Sequence, residues 1–406
     1  MNVIEHMDEI MAYAGSLQEE LIEIRRDLHQ HPELLYGVAR TAGIAAGLLE
    51  SWGIEVRRNV GPHFGMGVVG TLKGTGGEGP IILLRADMDA LPIQEENDVP
   101  YKSRQAGVMH ACGHDAHTAM LLGAAKTLSQ FRDHIRGTIR FVFQPAEEGA
   151  LPSPLDGRLL SGGRDMIEAG ILDGVERCYA LHVMPELPAG SLGIHDHYAM
   201  AASSHFKIRF TGTSGHHSAP HHAVDALQMA VRFVTEVNGL MANRVDPTEA
   251  AVLAFGTLQA GSAINVIAAQ SELTGTYRAF TKETVAAITD GLQRNAASIA
   301  ESAGGSYEME LREGITVVND AAEVQRVVSA AAEVLGAEQV HRLSPPSLAG
   351  EDFGWYLDRV PGVFAFLGCG NAAQGITHAI HQPRFDLDES ILVQGTRILV
   401  KLAVQP

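Results

Sequence analysis

The sequence predicts an α/β protein: an open, mostly parallel sheet with helices on both faces, interrupted by an inserted ferredoxin-like α+β domain. Three observations predict this. Short apolar runs alternate with helical spacing through the first 200 residues, the pattern of a sheet covered by helices. Ile81, Ile82, Leu83 and Leu84 follow one another without a polar residue, which marks a strand buried on both faces. Between about 203 and 313 the order strand, helix, strand, strand, helix, strand is the split βαβ unit.

Taken in order, residues 17–30 have helical spacing, and so do 39–53, with Gly53 as a stop. FGMGVVGTLKG and PIILLRADMDA read as strands, 116–131 as a helix, 137–149 as a strand ending in a polar turn, and 178–183 as a short buried strand. The inserted unit reads as a strand at 203–212, a helix at 222–240, strands at 250–260 and 266–280, a helix at 282–303 and a strand at 306–313. Helices and the strand GVFAFLGCG (362–370) then resume the first pattern. The expected organisation is a larger domain in two pieces, 1–198 and 315–406, with 199–314 inserted between them.

With 406 residues, two domains are the prior. Lys+Arg 30 against Asp+Glu 48 gives −18, which disfavours nucleic acid and anionic membrane as partners. Three cysteines make no disulfide framework and point to a reducing compartment, the cytoplasm. The opening MNVIEHMDEIMAYAG has acids where a secretory signal has bases, and no apolar run approaches the roughly 20 residues of a membrane span.

Sites in open α/β sheets gather at the carboxyl ends of strands. Here those ends carry Asp87 and Asp89, Glu147 and Glu148, and His182. The stretch VMHACGHDAHTAM adds Cys112 and His114 where a helix begins, and THAIHQPRF adds His378 and His381. Each has a bland alternative: a His-rich helix start with Asp115 as its cap, aspartates as turn formers, a solvated glutamate pair, a core histidine. Together on one sheet they form the donor set of a metal site.

The stretches RRDLHQHPEL, RADMDALP, MHACGHDAHTAMLLGAA, FQPAEEG, ALHVMPELPAG, GHHSAPH, AINVI, GTYRAF, AGEDFGWY and HAIHQPRF follow in order across nearly the whole chain. As a set they resemble the M20 family of metallo-amidohydrolases. The closest branch is the N-acyl-amino-acid amidohydrolases: hippurate hydrolases, bacterial aminoacylases and plant auxin-conjugate hydrolases. The resemblance implies two divalent ions (Mn²⁺, Zn²⁺, Co²⁺ or Ni²⁺) on Cys112, His114, Glu148, His182 and His381, with the Cys112 thiolate between them. It implies Glu147 as general acid/base, taking a proton from the attacking water and returning it to the leaving amine. Asp89 would hold a ligand histidine in its tautomer. His110 and His117 receive no ligand role, and Cys178 and Cys369 read as small buried residues.

The resemblance further implies a homodimer, or a tetramer built from it, formed through the inserted domain. His216, with His217 as its rival, would be the donor to the oxyanion and would reach the partner's site. Asn265 and Arg278 would hold the substrate, although an odd offset along one strand would point them to opposite faces. The implied substrate is an N-acyl amino acid, with N-acetyl or aromatic acyl group. A dipeptide or N-acetyl-diaminopimelate is the alternative, and a metal-binding protein without catalysis a third. The sequence departs from the family pattern in the longer loop at 150–161, in lacking the usual PD after NVI, and at His195 and His197.

Overall fold

The computed structural model describes residues 3–404. In chain order its main elements begin with α1 (Val3–Ser16), α2 (Gln18–Gln30), α3 (Ala39–Ser51), β1 (Glu55–Val60), β2 (Gly67–Lys73) and β3 (Ile81–Asp87). Next come α4 (His114–Gln130), β4 (Thr138–Gln144), α5 (Gly162–Glu168), β5 (Val175–Pro188) and β6 (Leu192–Ile194). Then follow β7 (Ala202–Thr211), α6 (Ala226–Arg244), β8 (Ala251–Ala260), β9 (Gln270–Ala279), α7 (Lys282–Ala303) and β10 (Ser306–Arg312). The chain closes with α8 (Ala321–Leu335), β11 (Val340–Arg342), α9 (Gly354–Leu357), β12 (Gly362–Gly370) and α10 (Ile391–Val404).

The chain divides into two compact units. One runs to Ala199 and resumes at Val318–Pro345 and from Asp352 on; the other is Met200–Val317 with Pro346–Glu351. The second return, at 346–351, has no signal in the hydrophobic period. It is held by backbone bonds from Ala201 N–H to the carbonyls of Ser347 and Ala349.

In the first unit eight strands lie in the order β1-β2-β4-β3-β5-β12-β6-β11. The four central strands β4, β3, β5 and β12 run parallel, and antiparallel pairs lie toward the edges. On β3 the pleat sends Ile82, Leu84 and Ala86 into the main core with α4 and α10. Arg85 turns to the opposite face, over the ring of Phe353 beside α9. The strand therefore holds two buried charged residues, Arg85 and Asp87. Helix α4 is buried nearly all round, as its Ala-rich, unpolarised sequence requires. Among the described residues no helix is long and apolar enough to cross a membrane.

In the second unit four antiparallel strands lie in the order β8-β9-β7-β10, the ferredoxin-like arrangement. Phe206, Ile208 and Phe210 alternate inward along β7 and meet Phe233 of α6 and Leu292 of α7. Helix α6 starts at Ala226, capped by the Asp225 carboxylate, rather than near 222. β9 starts at Gln270, so Asn265 lies in the preceding loop and shares no strand with Arg278. The strand expected at 266–280 begins only at Gln270, because Val266 and Ile267 pair with the 215–216 loop instead.

The segment 150–161 forms a short hairpin, Leu151–Pro152 against Leu159–Leu160. His63 staples it, with Nδ1 2.6 Å from Ser153 Oγ and Nε2 2.8 Å from Glu168 Oε2.

Candidate metal centre

The sheet register builds the site. Asp87 of β3 pairs with Gln144 of β4, and the last β3–β5 partners are Arg85 and Ala180. His182 is two positions beyond Ala180, hence level with Asp87, and pairs with Phe366 of β12. Asp87 and Gln144, at the carboxyl ends of β3 and β4, thus lie in one row with His182 of β5, which runs on to Pro188. The segments that leave β3 and β4 carry Asp89, Glu147 and Glu148.

Helix α4 brings the next two donors. Gly113 precedes it in the left-handed region (φ 84°), and a Cβ there would fall 2.3 Å from Val183 Cγ2. Only glycine lets the chain turn so tightly between Cys112 and His114. Asp115 does not cap the helix. Its carboxylate receives Arg25 Nε at 2.8 Å and lies 2.8 Å from His29 Nδ1, in a fully buried charge cluster beneath the site.

Asp89 organises the glutamate pair. Its Oδ1 accepts from the Glu147 amide at 3.0 Å, its Oδ2 from the Glu148 amide at 3.1 Å, and Oδ1 is 3.5 Å from His114 Nδ1. Ala146, just before the pair, is left-handed (φ 45°), and its N–H donates to Leu35 O at 3.2 Å. His381 is also left-handed (φ 62°), with its N–H on Ala111 O at 2.7 Å and its Nε2 3.3 Å from Glu148 Oε1. His378 contacts Gln382 at the surface instead.

Two donor groups result. Cys112, His114 and His182 offer atoms within 4.8 Å of one another, and so do Cys112, Glu148 and His381. Cys112 is common to both. Glu147 joins His114 and Glu148 in a third such group.

The donors fit cations. His114 Nε2 and Glu148 Oε1 are buried without a hydrogen-bond partner, a cost of about 1–3 kcal/mol each unless something fills the space between them. Burial, then Glu148, pushes the Cys112 thiol well up, so the thiolate form calls for a cation beside it. Burial opposes a charge on His114, but Asp87, Asp89 and Glu148 outweigh it and lift the ring to about 10. Its proton occupies a place suited to a metal ion. Burial, followed by His117, keeps His182 neutral, as a ligand must be.

Residues that the sequence reading left without a role surround these donors. Arg85 donates to Asp87 Oδ2 at 2.7 Å, to Gln144 Oε1 at 3.1 Å and to Asp352 Oδ1 at 3.0 Å. His117 contacts Asp87 and the Val183 backbone. The RAD of RADMD was the available signal, since a charged residue inside an apolar strand needs a buried partner. Cys178 and Cys369 are free and buried, as expected.

His216, Asn265 and Arg278 all belong to the second unit. His216 and Asn265 sit in paired loops: His217 N–H donates to Asn265 O, Ile267 N–H to Gly215 O, and His216 bridges Val266. His216 Nδ1 accepts from the Ser218 amide at 3.2 Å, so in the neutral ring Nε2 carries the proton. Arg278 donates to Leu348 O at 2.6 Å and forms no ion pair among the described residues.

A parallel α/β sheet with Cys, His and Glu donors at its strand ends defines an α/β protein with a candidate metal centre. Residues 83–405 match the model of peptidase family M20/M25/M40, and the chain belongs to that family. It is similar to N-acetylcysteine deacetylase of Bacillus subtilis, 36% identical with 95% of this chain and 96% of that one covered. It is 35% identical to thermostable carboxypeptidase 1 of Saccharolobus solfataricus, with 96% of each covered. Among solved structures it resembles the Bacillus subtilis YXEP protein, described as a dinuclear metal binding peptidase of the M20 family. That match has 35% identity, a TM-score of 0.78, and covers 96% of this chain and 98% of that one. The protein is accordingly an amidohydrolase of the M20 family.

Proposed function

We propose that the protein hydrolyses the amide bond of N-acyl amino acids, releasing a carboxylate and a free amino acid. The observation that carries this reading is the pair of donor groups sharing Cys112, with Glu147 at their side. Cys112, His114 and His182 would hold one divalent ion, and Cys112, Glu148 and His381 the other. Mixed N, O and S donors suit Mn²⁺, Zn²⁺, Co²⁺ or Ni²⁺. When bound, the ions supply Lewis acidity toward water and the amide carbonyl.

The chain's own groups do the rest. A Glu147 carboxylate oxygen takes the proton of the attacking water and returns it to the departing amine nitrogen. Asp89 fixes the turn from which Glu147 extends, which supports a single approach direction. His216 Nε2–H donates to the developing oxyanion. Arg278, with no carboxylate of its own, and Asn265 hold the substrate's α-carboxylate. The catalytic unit is a homodimer formed through the inserted unit, in the cytoplasm.

A dipeptide substrate is the second reading, favoured by the relative named thermostable carboxypeptidase. One panel decides: free amine released from hippurate, N-acetyl-methionine and a set of dipeptides, with and without added Mn²⁺, Zn²⁺ or Co²⁺. Turnover of the acyl amino acids above the dipeptides supports the proposal; the reverse order overturns it.

A further inference from the structure

Resting on the reading of the Cys112 cluster as a metal centre, we infer that His117 is a positioning residue that aims His182 at its ion by holding the backbone of Val183.

The need arises from the sheet. In a parallel sheet a residue's N–H and C=O point to the same side. β5 finds partners on β3 only as far as Ala180, opposite Arg85. Past that point the side of β5 that faced β3 has no strand, and the Val183 N–H would be a buried orphan. His117 takes the missing strand's place: Val183 N–H donates to His117 Nε2 at 3.0 Å. The Val183 carbonyl in turn receives His182 Nδ1–H at 2.7 Å. That bond fixes the His182 tautomer and leaves the Nε2 lone pair 3.4 Å from Cys112 Sγ. The ligand's aim therefore depends on one residue's backbone, which His117 holds at the N–H and His182 grips at the carbonyl.

His117 is itself held. Its Nδ1 lies 2.6 Å from Asp87 Oδ1, and Arg85 braces the other Asp87 oxygen. Thr118 donates to the Asp87 carbonyl at 2.9 Å, tying α4 to the end of β3. His117 is three residues beyond His114 on α4, so both rings share one face of the helix, 5.4 Å apart. One helix thus carries a ligand and, a turn later, the pin for a second ligand on another strand.

Asp87, His114 and His117 also lie close enough together to suggest a metal group of their own. The hydrogen bonds decide against it. Val183 N–H takes the Nε2 lone pair and Nδ1 carries the proton given to Asp87, so the neutral His117 ring has no lone pair for an ion.

The test is metal titration of the full chain, stripped of metal, against a competing chelator dye. Thermal midpoints and circular dichroism confirm folding. Wild type is expected to take two ions. His117→Phe, which removes both hydrogen bonds, is expected to weaken one of the two about ten- to a hundredfold, as loss of an outer partner of a ligand does. The other ion should stay within about threefold. His117→Gln keeps an acceptor for the Val183 amide and is expected to recover most of the loss. Should phenylalanine prevent folding, His117→Leu carries the same test. Equal binding by His117→Phe and wild type would overturn the inference while leaving the metal centre intact. So would equal weakness of the Phe and Gln variants, which would mean packing alone. Wild type taking no ions would overturn the metal centre itself, and the positioning role with it.

Discussion

Asp89 and Glu147 are joined by a 3.0 Å bond from the glutamate's amide to the aspartate's carboxylate, and the same carboxylate takes the Glu148 amide. Two adjacent glutamates are thereby held in place through their backbone amides, and their side chains leave that turn in different directions. Glu147→Gln is expected to fold and to bind metal, yet to lose turnover by roughly 10²–10⁴-fold, because it removes a proton carrier and no ligand. Glu148→Gln should instead weaken metal binding. Asp89→Asn sets an NH₂ group against an amide and should lower turnover more than metal content. Turnover and metal content of the three variants check the assignment; exchanged phenotypes for the glutamates would reverse it.

The shared position of Cys112 predicts its metal behaviour. Elemental analysis of replete protein should find about two ions per chain, and chelation should abolish activity. Cys112→Ala should lower occupancy at both positions, since both donor groups include it. Cys178→Ala and Cys369→Ala remove small buried groups that belong to none of the donor groups and should leave occupancy unchanged. A replete, active protein holding no ions would end this reading.

Much of this was legible in the sequence, for identifiable reasons. β3 opens on four apolar residues in a row and α4 is Ala-rich, and their burial leaves few alternatives. The donors sit in compact motifs at strand ends, where fold and chemistry coincide. What escaped was tertiary. Asp115 looked like a cap because caps are local, yet its partner Arg25 is 90 residues away. The strand expected at 266–280 starts only at Gln270, because β propensity ignores where a ladder stops. His117 offered no motif of its own: its role depends on β5 outrunning β3, which only the register reveals.

The Arg25–Asp115 pair makes a stability prediction. Both side chains are fully buried, with Asp386 and Glu389 also on the guanidinium. Arg25→Met would leave the buried Asp115 carboxylate with His29 alone, at a cost of about 3–5 kcal/mol in urea unfolding. The double change Arg25→Met with Asp115→Leu should recover a large part of it. A loss below about 1 kcal/mol for the single variant would mean that water reaches Asp115 when the arginine is gone.

His216 and Asn265 ride on loops at one end of the second sheet, where Thr211 pairs with Gln270; Arg278 is near the other end, beside Ala202–Ala279. Eight residue steps along the strand separate Gln270 from Arg278, roughly 26 Å at the usual rise. A single N-acyl amino acid cannot span that distance, so one chain cannot present both groups to one substrate. If all three act, His216 and Asn265 serve the partner's site. Mixing inactive His216→Ala and Glu147→Gln chains should then restore activity, because one site of the hybrid is whole. Asn265→Ala with Arg278→Ala should do the same. Failure of both verified hybrids would return all the groups to one chain, and would require a different substrate contact for at least one of them.

The last prediction concerns the α-carboxylate. Arg278 presents a guanidinium whose only protein partner among the described hydrogen bonds is the Leu348 carbonyl. Its remaining N–H donors form the planar fork that suits a carboxylate, and no acidic side chain among the described residues forms an ion pair with them. Lysine would supply the charge without the fork. Arg278→Ala is therefore expected to raise KM for N-acyl amino acids by about ten- to a hundredfold, the ~1.5–3 kcal/mol of a charge-assisted bond. Arg278→Lys should fall between Ala and wild type. The corresponding N-acyl amines, which lack the carboxylate and are poor substrates from the start, should respond little to either change. Steady-state KM and kcat on the matched pair separate the cases. An equal loss on both substrates would make Arg278 a support for the 346–351 segment through Leu348, and would leave the carboxylate to be read elsewhere.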